Sequence, residues 1–307
     1  MPNPVKVAFL EELSKRFGSP RKLQNSESLF EVGHDSVRLY FRYSKKHPGN
    51  RTFFGLRKVD LQSLEGHRGI LCFFWDDQRE PLFVPFEQFE EVFAGLVPAS
   101  DGQIKAQVYE QAGGTELYLA NAGRFNVDSY MGWSYLEALI QPSGETVPDL
   151  SHNHVQTLLG GIGAAKGFDI WIPPNDRSKL DWTLTHRFSP TNSLPSSLLA
   201  VKTIAEEVDV IWIDRGGGKP AALYEVEHST PIYSGLLRFN DIHLTLPSTS
   251  LRFGIVSNDI RRTLFVRQLD RPTFKASGLR EICTFFEYRN VFGWHQRIRK
   301  AGQDQEQ

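Results

Sequence analysis

Cysteine is scarce. The 307-residue chain has two, Cys72 and Cys283, far apart and without metal-ligand spacing. That excludes a disulfide framework and a thiolate zinc site. It fits a reducing cytoplasm in which each cysteine is a small buried apolar residue. Long hydrophobic runs are missing too: none approaches the ~18 residues of a membrane-spanning helix. The opening segment MPNPVKVAFLEELSKRFG lacks the basic-then-apolar order of a secretory leader and reads as a short amphipathic helix. Net charge is nearly absent, since 35 Lys and Arg stand against 36 Asp and Glu. Bulk charge therefore announces no nucleic-acid binder, and any such role needs local basic patches. Internal repeats and low-complexity segments are absent.

What is present is apolar material for two cores: 40% hydrophobic residues, with 22 Phe. Residues 1–140 read as a strand-rich α+β domain. SVRLYFRYS alternates at period two, and RTFFGLRKV, GILCFFW and PLFVPF are short aromatic and β-branched runs between turn signals. FEQFEEVFAGL reads as one helix, and IKAQVYEQAGGTELYLA as a hairpin closed near Gly113 and Gly114. A second α/β domain spans 141–300, and 301–307 form a polar tail outside the core. Its first helix is LSHNHVQTLLGGIGAAKG, with Val155, Leu158, Leu159 and Ile162 at helical spacing and an end at Gly167. FDIWIPP is a strand stopped by prolines, and SSLLAVKTIAEE a helix. Two strands of a hairpin follow, then helix SGLLRFNDIHLTL, strand LRFGIVS and helix NDIRRTLFVRQL. That order gives a mixed sheet with helices packed on it.

The hairpin DVIWIDRGGGKPAALYEVEHST carries the chemistry. Turning it about Gly217 pairs residues whose numbers sum to about 434: Ile213 with Ala221, Ile211 with Leu223, Asp209 with Glu225. Residues opposite each other share a face, so one face is apolar near the turn and ends in Asp209, Glu225 and Glu227. The other face, with Val208, Val210, Trp212, Ala222, Tyr224 and Val226, is apolar throughout and makes the hairpin central. Carboxylates ~5 Å apart repel unless one is protonated or a cation sits between them. Mg²⁺ suits such oxygens and keeps positions for water and phosphate. Solvated strand ends are the bland alternative.

Asp209 followed by Glu225-Val226-Glu227 resembles the PD-(D/E)XK nuclease superfamily, in which an acid on one core strand precedes acid-X-lysine on the next. The element order over roughly residues 150–290 matches its core, and the longer stretch looks like that of bacterial restriction-type endonucleases. The resemblance implies a restriction-endonuclease-like core and an endonuclease that hydrolyses phosphodiester bonds in double-stranded DNA. It implies Mg²⁺, with Mn²⁺ as a substitute, held by Asp209 and Glu225, and Glu227 as a further ligand or the acceptor of the water's proton. Glu227 departs from the lysine of the motif. A disabled, DNA-binding member stays open as an alternative, and so does a metal-dependent small-molecule hydrolase.

Around this centre, Arg238 pairs with a motif carboxylate or binds phosphate. His154 and Gln156 sit on the first helix, where the superfamily sometimes places a polar group near the metal. His228 and Ser229 follow the motif. HNH at 152–154 lacks the ββα unit of the nuclease class of that name, and GGIGAAKG lacks the context of a phosphate loop and reads as close helix packing. For DNA, the basic loop with Lys45, Lys46 and Arg51 is the first candidate, and Arg261, Arg262, Arg267, Arg297, Arg299 and Lys300 add further charge. The N-terminal domain is expected to recognise the target, and a homodimer to cut both strands. No membrane partner is expected.

Overall fold

The computed structural model describes residues 3–23, 26–32, 37–111, 113–140, 147–215, 218–228, 231–246 and 251–304. The chain divides into two compact units, Met1–Gly144 and Glu145–Gln307. It is mixed α/β, as the alternating element types imply. Among the described residues no helix is long and apolar enough to cross a membrane.

Unit 1 opens with α1 (Pro4–Phe17), capped by the Asn3 side chain. The strands are β1 (Arg21–Lys22), β2 (Leu29–Val32), β3 (Val37–Ser44), β4 (Arg51–Arg57), then helix α2 (Lys58–Gln62), β5 (Gly69–Trp75) and β6 (Leu82–Pro85). After α3 (Glu90–Ala94) come β7 (Gln103–Gln111), β8 (Gly114–Leu119), β9 (Gly123–Asn126) and α4 (Trp133–Ile140). They form two sheets, ordered β1-β2-β3-β5-β6 and β4-β7-β8-β9. β3 and β5 pair in parallel, and both faces of their sheet are covered. Tyr40, Leu71 and Phe73 pack against Phe54, Leu56 and Val108 of the second sheet. Phe41, Cys72 and Phe74 pack under Phe9 and Leu13 of α1 and Leu136 of α4. A strand buried on both faces is apolar throughout, which is why GILCFFW shows no alternation. The single helix expected over FEQFEEVFAGL is two pieces. A 3₁₀ turn at Phe86–Gln88 is followed by α3, and the break is at Phe89, whose φ of −118° is not helical. Phe86, Phe89 and Phe93 all bury their rings in the unit 1 core, and that packing overrides continuous helix.

Unit 2 comprises α5 (His152–Ala165), β10 (Phe168–Trp171), α6 (Lys202–Ala205), β11 (Val210–Asp214), β12 (Pro220–Val226), α7 (Ile232–Thr245), β13 (Arg252–Ser257), α8 (Arg262–Leu269), α9 (Pro272–Ser277), α10 (Leu279–Ile282), β14 (Cys283–Glu287) and α11 (Tyr288–Asp304). The sheet order is β10-β11-β12-β13-β14, antiparallel across the first three strands and parallel across the last three. The hairpin is central, as its two apolar faces imply. Val210, Trp212, Tyr224 and Val226 meet α5 and α11 on one face. Ile211, Leu223, Phe253 and Ile255 meet α7, α8 and α9 on the other.

Several expectations need correction. The segment read as a helix over SSLLAVKTIAEE is a 3₁₀ stretch, Ser196–Val201, running into the single turn of α6. The register sum of 434 holds for Val210↔Tyr224, Ile211↔Leu223 and Trp212↔Ala222. A bulge then pairs Ile213 with Pro220 instead of Ala221. Val208 packs on the α7 side with Ile211, not beside Val210, because residues 206–209 form a turn and strand alternation begins only at Val210. The tail is not wholly outside the fold, since α11 continues to Asp304. Gly217, taken as the turn centre, lies outside the described residues.

Candidate active site

The acids meet where the hairpin leaves the sheet. Asp209 immediately precedes β11, and its Oδ2 accepts the amide of Val226 at 2.7 Å. A side chain thus stands in for the next rung of the ladder, and it holds the Asp209 carboxylate beside the end of β12. Glu225 and Glu227 flank Val226 and turn to the α7 face, where they are only 1% and 2% exposed. The β12–β13 pairing fixes them further. Glu227 donates its amide to Val256 at 2.8 Å, and its carbonyl accepts from the Ser257 hydroxyl and from Arg261 Nη1, both at 2.6 Å.

Helix α7 completes this side. Arg238 grips Glu225 with two parallel bonds, Nε to Oε1 at 2.7 Å and Nη2 to Oε2 at 2.8 Å. A planar guanidinium suits a carboxylate in this way, and Nη1 lies 3.7 Å from Glu207. Gly235, one turn earlier, is what lets the helix come so close. A Cβ there would stand 2.8 Å from Glu227 Oε1 and 3.2 Å from Glu225 Cβ. Gly235→Ala would gain about 1 kcal/mol of helix propensity, against about 1–3 kcal/mol for overpacking. We expect net destabilisation of about 1 kcal/mol by urea unfolding. A more stable variant would show that α7 does not press on the acids.

Helix α5 closes the other side. His152 and Gln156, four residues apart, share one helix face. The Gln156 amide donates to the Asp209 carbonyl at 3.0 Å, and its buried Oε1 has no partner. His152 Nε2 lies 3.4 Å from Asp209 Oδ1, and that carboxylate raises the imidazole above its ordinary pKa.

His154, expected near the acids, is spent elsewhere. It forms a capping box with Ser151 and lies 2.9 Å from Asp181. His228 is exposed, as its strand-end position implies, with its ring stacked on Tyr288 and Nδ1 at 3.0 Å from the phenol. Burial pushes Tyr288 up to about 12, with Asp209 and Glu227 adding to it against the pull of Arg261. Ser229 lies outside the described residues. In unit 1, Lys46 is bound to Glu110 at 2.6 Å, whereas Lys45 and Arg51 are exposed. Arg262 is tied to buried Glu287 at 2.9 Å.

Sequence reasoning missed His152, Gly235 and Tyr288 as parts of this centre. For His152 a signal existed, namely its i,i+4 relation to Gln156.

The electrostatics are those of crowded carboxylates. Burial pushes Glu225 up to about 8, Asp209 and Glu227 add to it, and Arg238 opposes it. Arg238 itself is raised and stays charged. In the unfolded chain Glu225 titrates near 4.5. Its contribution to stability is therefore full below that pH and is lost as pH rises through about 8. In metal-free buffer the urea midpoint should fall between about pH 5 and pH 8, and fall less in Glu225→Gln. Parallel profiles for the two proteins would mean that Glu225 ionises alike in the folded and unfolded chain.

Does a divalent cation fit? The donors are hard oxygens on a crowded, partly desolvated face, and Asp209 and Glu225 together suffice for an ion that takes one or two carboxylates plus phosphate. The expected trio is not gathered around one point, however. Among the described residues no three His, Cys, Asp or Glu side chains are grouped so as to hold a metal, and Arg238 occupies both oxygens of Glu225. The guanidinium takes the place expected for the cation. Metal binding at Glu225 requires Arg238 to let go.

Residues 141–300 match the family described as the type II restriction enzyme NmeDI C-terminal domain. The type II restriction enzyme NmeDI of Neisseria meningitidis serogroup C is 32% identical over 153 residues, covering 45% of this chain and 43% of that protein. The matched part is thus less than half the length of that relative. No solved structure gives a significant match.

Proposed function

The chain belongs, through residues 141–300, to the family of the type II restriction enzyme NmeDI C-terminal domain, and from that premise we propose that it is a Mg²⁺-dependent DNA endonuclease of restriction type with a PD-(D/E)XK centre. The carrying observation is the Asp209 carboxylate held on the Val226 amide, with Glu225 and Glu227 to either side of that residue on a buried face.

In this reading Asp209 and Glu225 hold the ion, which when bound neutralises the scissile phosphate and lowers the pKa of a water. Glu227 accepts the proton of the attacking water or joins the ligands. Arg238 exchanges the Glu225 carboxylate for a phosphate oxygen, a change of partner its bidentate fork permits. His152 and Gln156 keep Asp209 aimed at the ion. Unit 1 recognises the target, with Lys45 and Arg51 as phosphate contacts, and two copies cut the two strands.

The test is incubation with plasmid and phage DNA, modified and plain, in Mg²⁺ or Mn²⁺. Cleavage by the parent and none by Glu225→Ala supports the proposal, and equal cleavage by both would refute the site. One observation favours a second reading. With Glu227 in the lysine position and Arg238 closed on Glu225, a non-cutting DNA-binding protein would look the same, and it would shift DNA at low salt without cleaving it.

A further inference from the structure

We propose that unit 2 carries a second binding site, apart from the acids, for a small planar ring bearing a phosphate, of the nucleoside monophosphate class. The site is a cavity of about 360 Å³ between the C-terminal halves of α5 and α11 and the loop at 185–188. Its α5 residues, Gly161, Ala164 and Ala165, stand nine to thirteen residues beyond His152, roughly 14–20 Å along the helix.

The GGIGAAKG stretch builds the cavity. A Cβ on Gly160 would stand 2.1 Å from Phe188 Cζ, and one on Gly161 would stand 2.6 Å from Thr185 Oγ1. The paired glycines therefore let the loop lie directly on the helix. Phe188 and Ile298, with the alanines, give an apolar wall suited to a flat ring. The volume exceeds what inorganic phosphate fills and falls in the range of small-molecule sites.

The rim is cationic. His186, Arg187 and Arg299 line it and are exposed, and no interaction of Arg187 or Arg299 with an acid is present among the described residues. Arg187 sits over the Trp182 ring, 5.8 Å from its centroid, which orients it without neutralising it. Buried His295 holds Thr185 Oγ1 at 2.7 Å through Nε2, and its Nδ1 is buried with no partner. A cleft with two arginines and no acid on its lining fits an anionic ligand.

The test is calorimetric titration of the full-length chain in EDTA with AMP, adenosine and inorganic phosphate. One AMP should bind per chain. Adenosine and phosphate should each bind about tenfold or more weakly, and the Arg187→Glu, Arg299→Glu double variant should lose about tenfold. The Gln double variant guards against a folding defect and should weaken AMP in the same direction. No saturable AMP binding up to about 1 mM, binding unchanged in the double variants, or phosphate binding as tightly as AMP would each overturn the proposal. Repeating the titration on Glu225→Gln should change nothing, whereas loss of binding there would place AMP at the acids and overturn it. A chain that binds AMP here without cutting DNA would leave this site standing and remove only the nuclease reading.

Discussion

Glu225→Gln is expected to lose DNA cleavage by about a thousandfold or more, equivalent to about 4 kcal/mol of barrier, while stability changes far less. Gln keeps the shape of Glu, so packing beside Gly235 is preserved, and one oxygen that accepts from Arg238, while its NH2 faces the second donor of the fork. What goes is the charge that would hold a divalent ion, whose stabilisation of a phosphoryl transition state is worth several kcal/mol. Burial pushes the Glu225 of the parent upward, and the Arg238 fork opposes that. An amide carries no charge to desolvate, which offsets part of the lost bond, so the metal-free variant should stay within about 1.5 kcal/mol of the parent in urea. Activity and stability moving apart is the signature of a functional acid. If the variant both unfolds early and cuts poorly, the residue is structural.

Arg238→Ala should have the largest effect on stability. It removes the bidentate partner of a carboxylate that is 1% exposed, and stranding one member of a buried pair costs about 3–5 kcal/mol. Glu225 can escape part of that by holding its proton. Arg238 pulls its pKa down, so without the guanidinium the carboxyl stays neutral to still higher pH. The loss should therefore grow with pH, by no more than about 1 kcal/mol between pH 5 and pH 8.5, because Glu225 of the parent itself ionises only near pH 8. Urea titrations at those two pH values check it. A pH-independent loss would mean that Arg238 acts through packing alone. Cleavage should fall in the same variant if Arg238 moves to phosphate, and should rise if Arg238 only blocks Glu225.

Much of the hairpin was legible because two short-range rules agree there. Period-two alternation assigns each residue a face, and a glycine turn fixes which residues meet. Val210↔Tyr224 through Trp212↔Ala222 pair as that reasoning gives. It failed where a local irregularity entered, at the Trp212/Ile213 bulge and at Val208, which precedes the strand. β14 was not anticipated, since CTFFE is five residues wedged between helices and carries no turn signals.

The site was legible as a cluster of acids but not as an electrostatic arrangement. Nothing in the spacing of Glu225 and Arg238 says that α7 lays the guanidinium across both carboxylate oxygens. That depends on Gly235 and on the tertiary packing of Leu236 and Phe239 against β12 and β13. The histidines show the same limit. His154 and His152 are chemically alike in the sequence, and the capping box at Ser151 diverts the first and leaves the second facing Asp209.

The most direct test is a crystal of the protein with duplex DNA and Mn²⁺, read by anomalous scattering. The expected result is a peak within bonding distance of carboxylate oxygens of both Asp209 and Glu225, with Arg238 moved from Glu225 onto a phosphate. DNA bound with Arg238 still across Glu225, and no metal peak at the two acids, would contradict it.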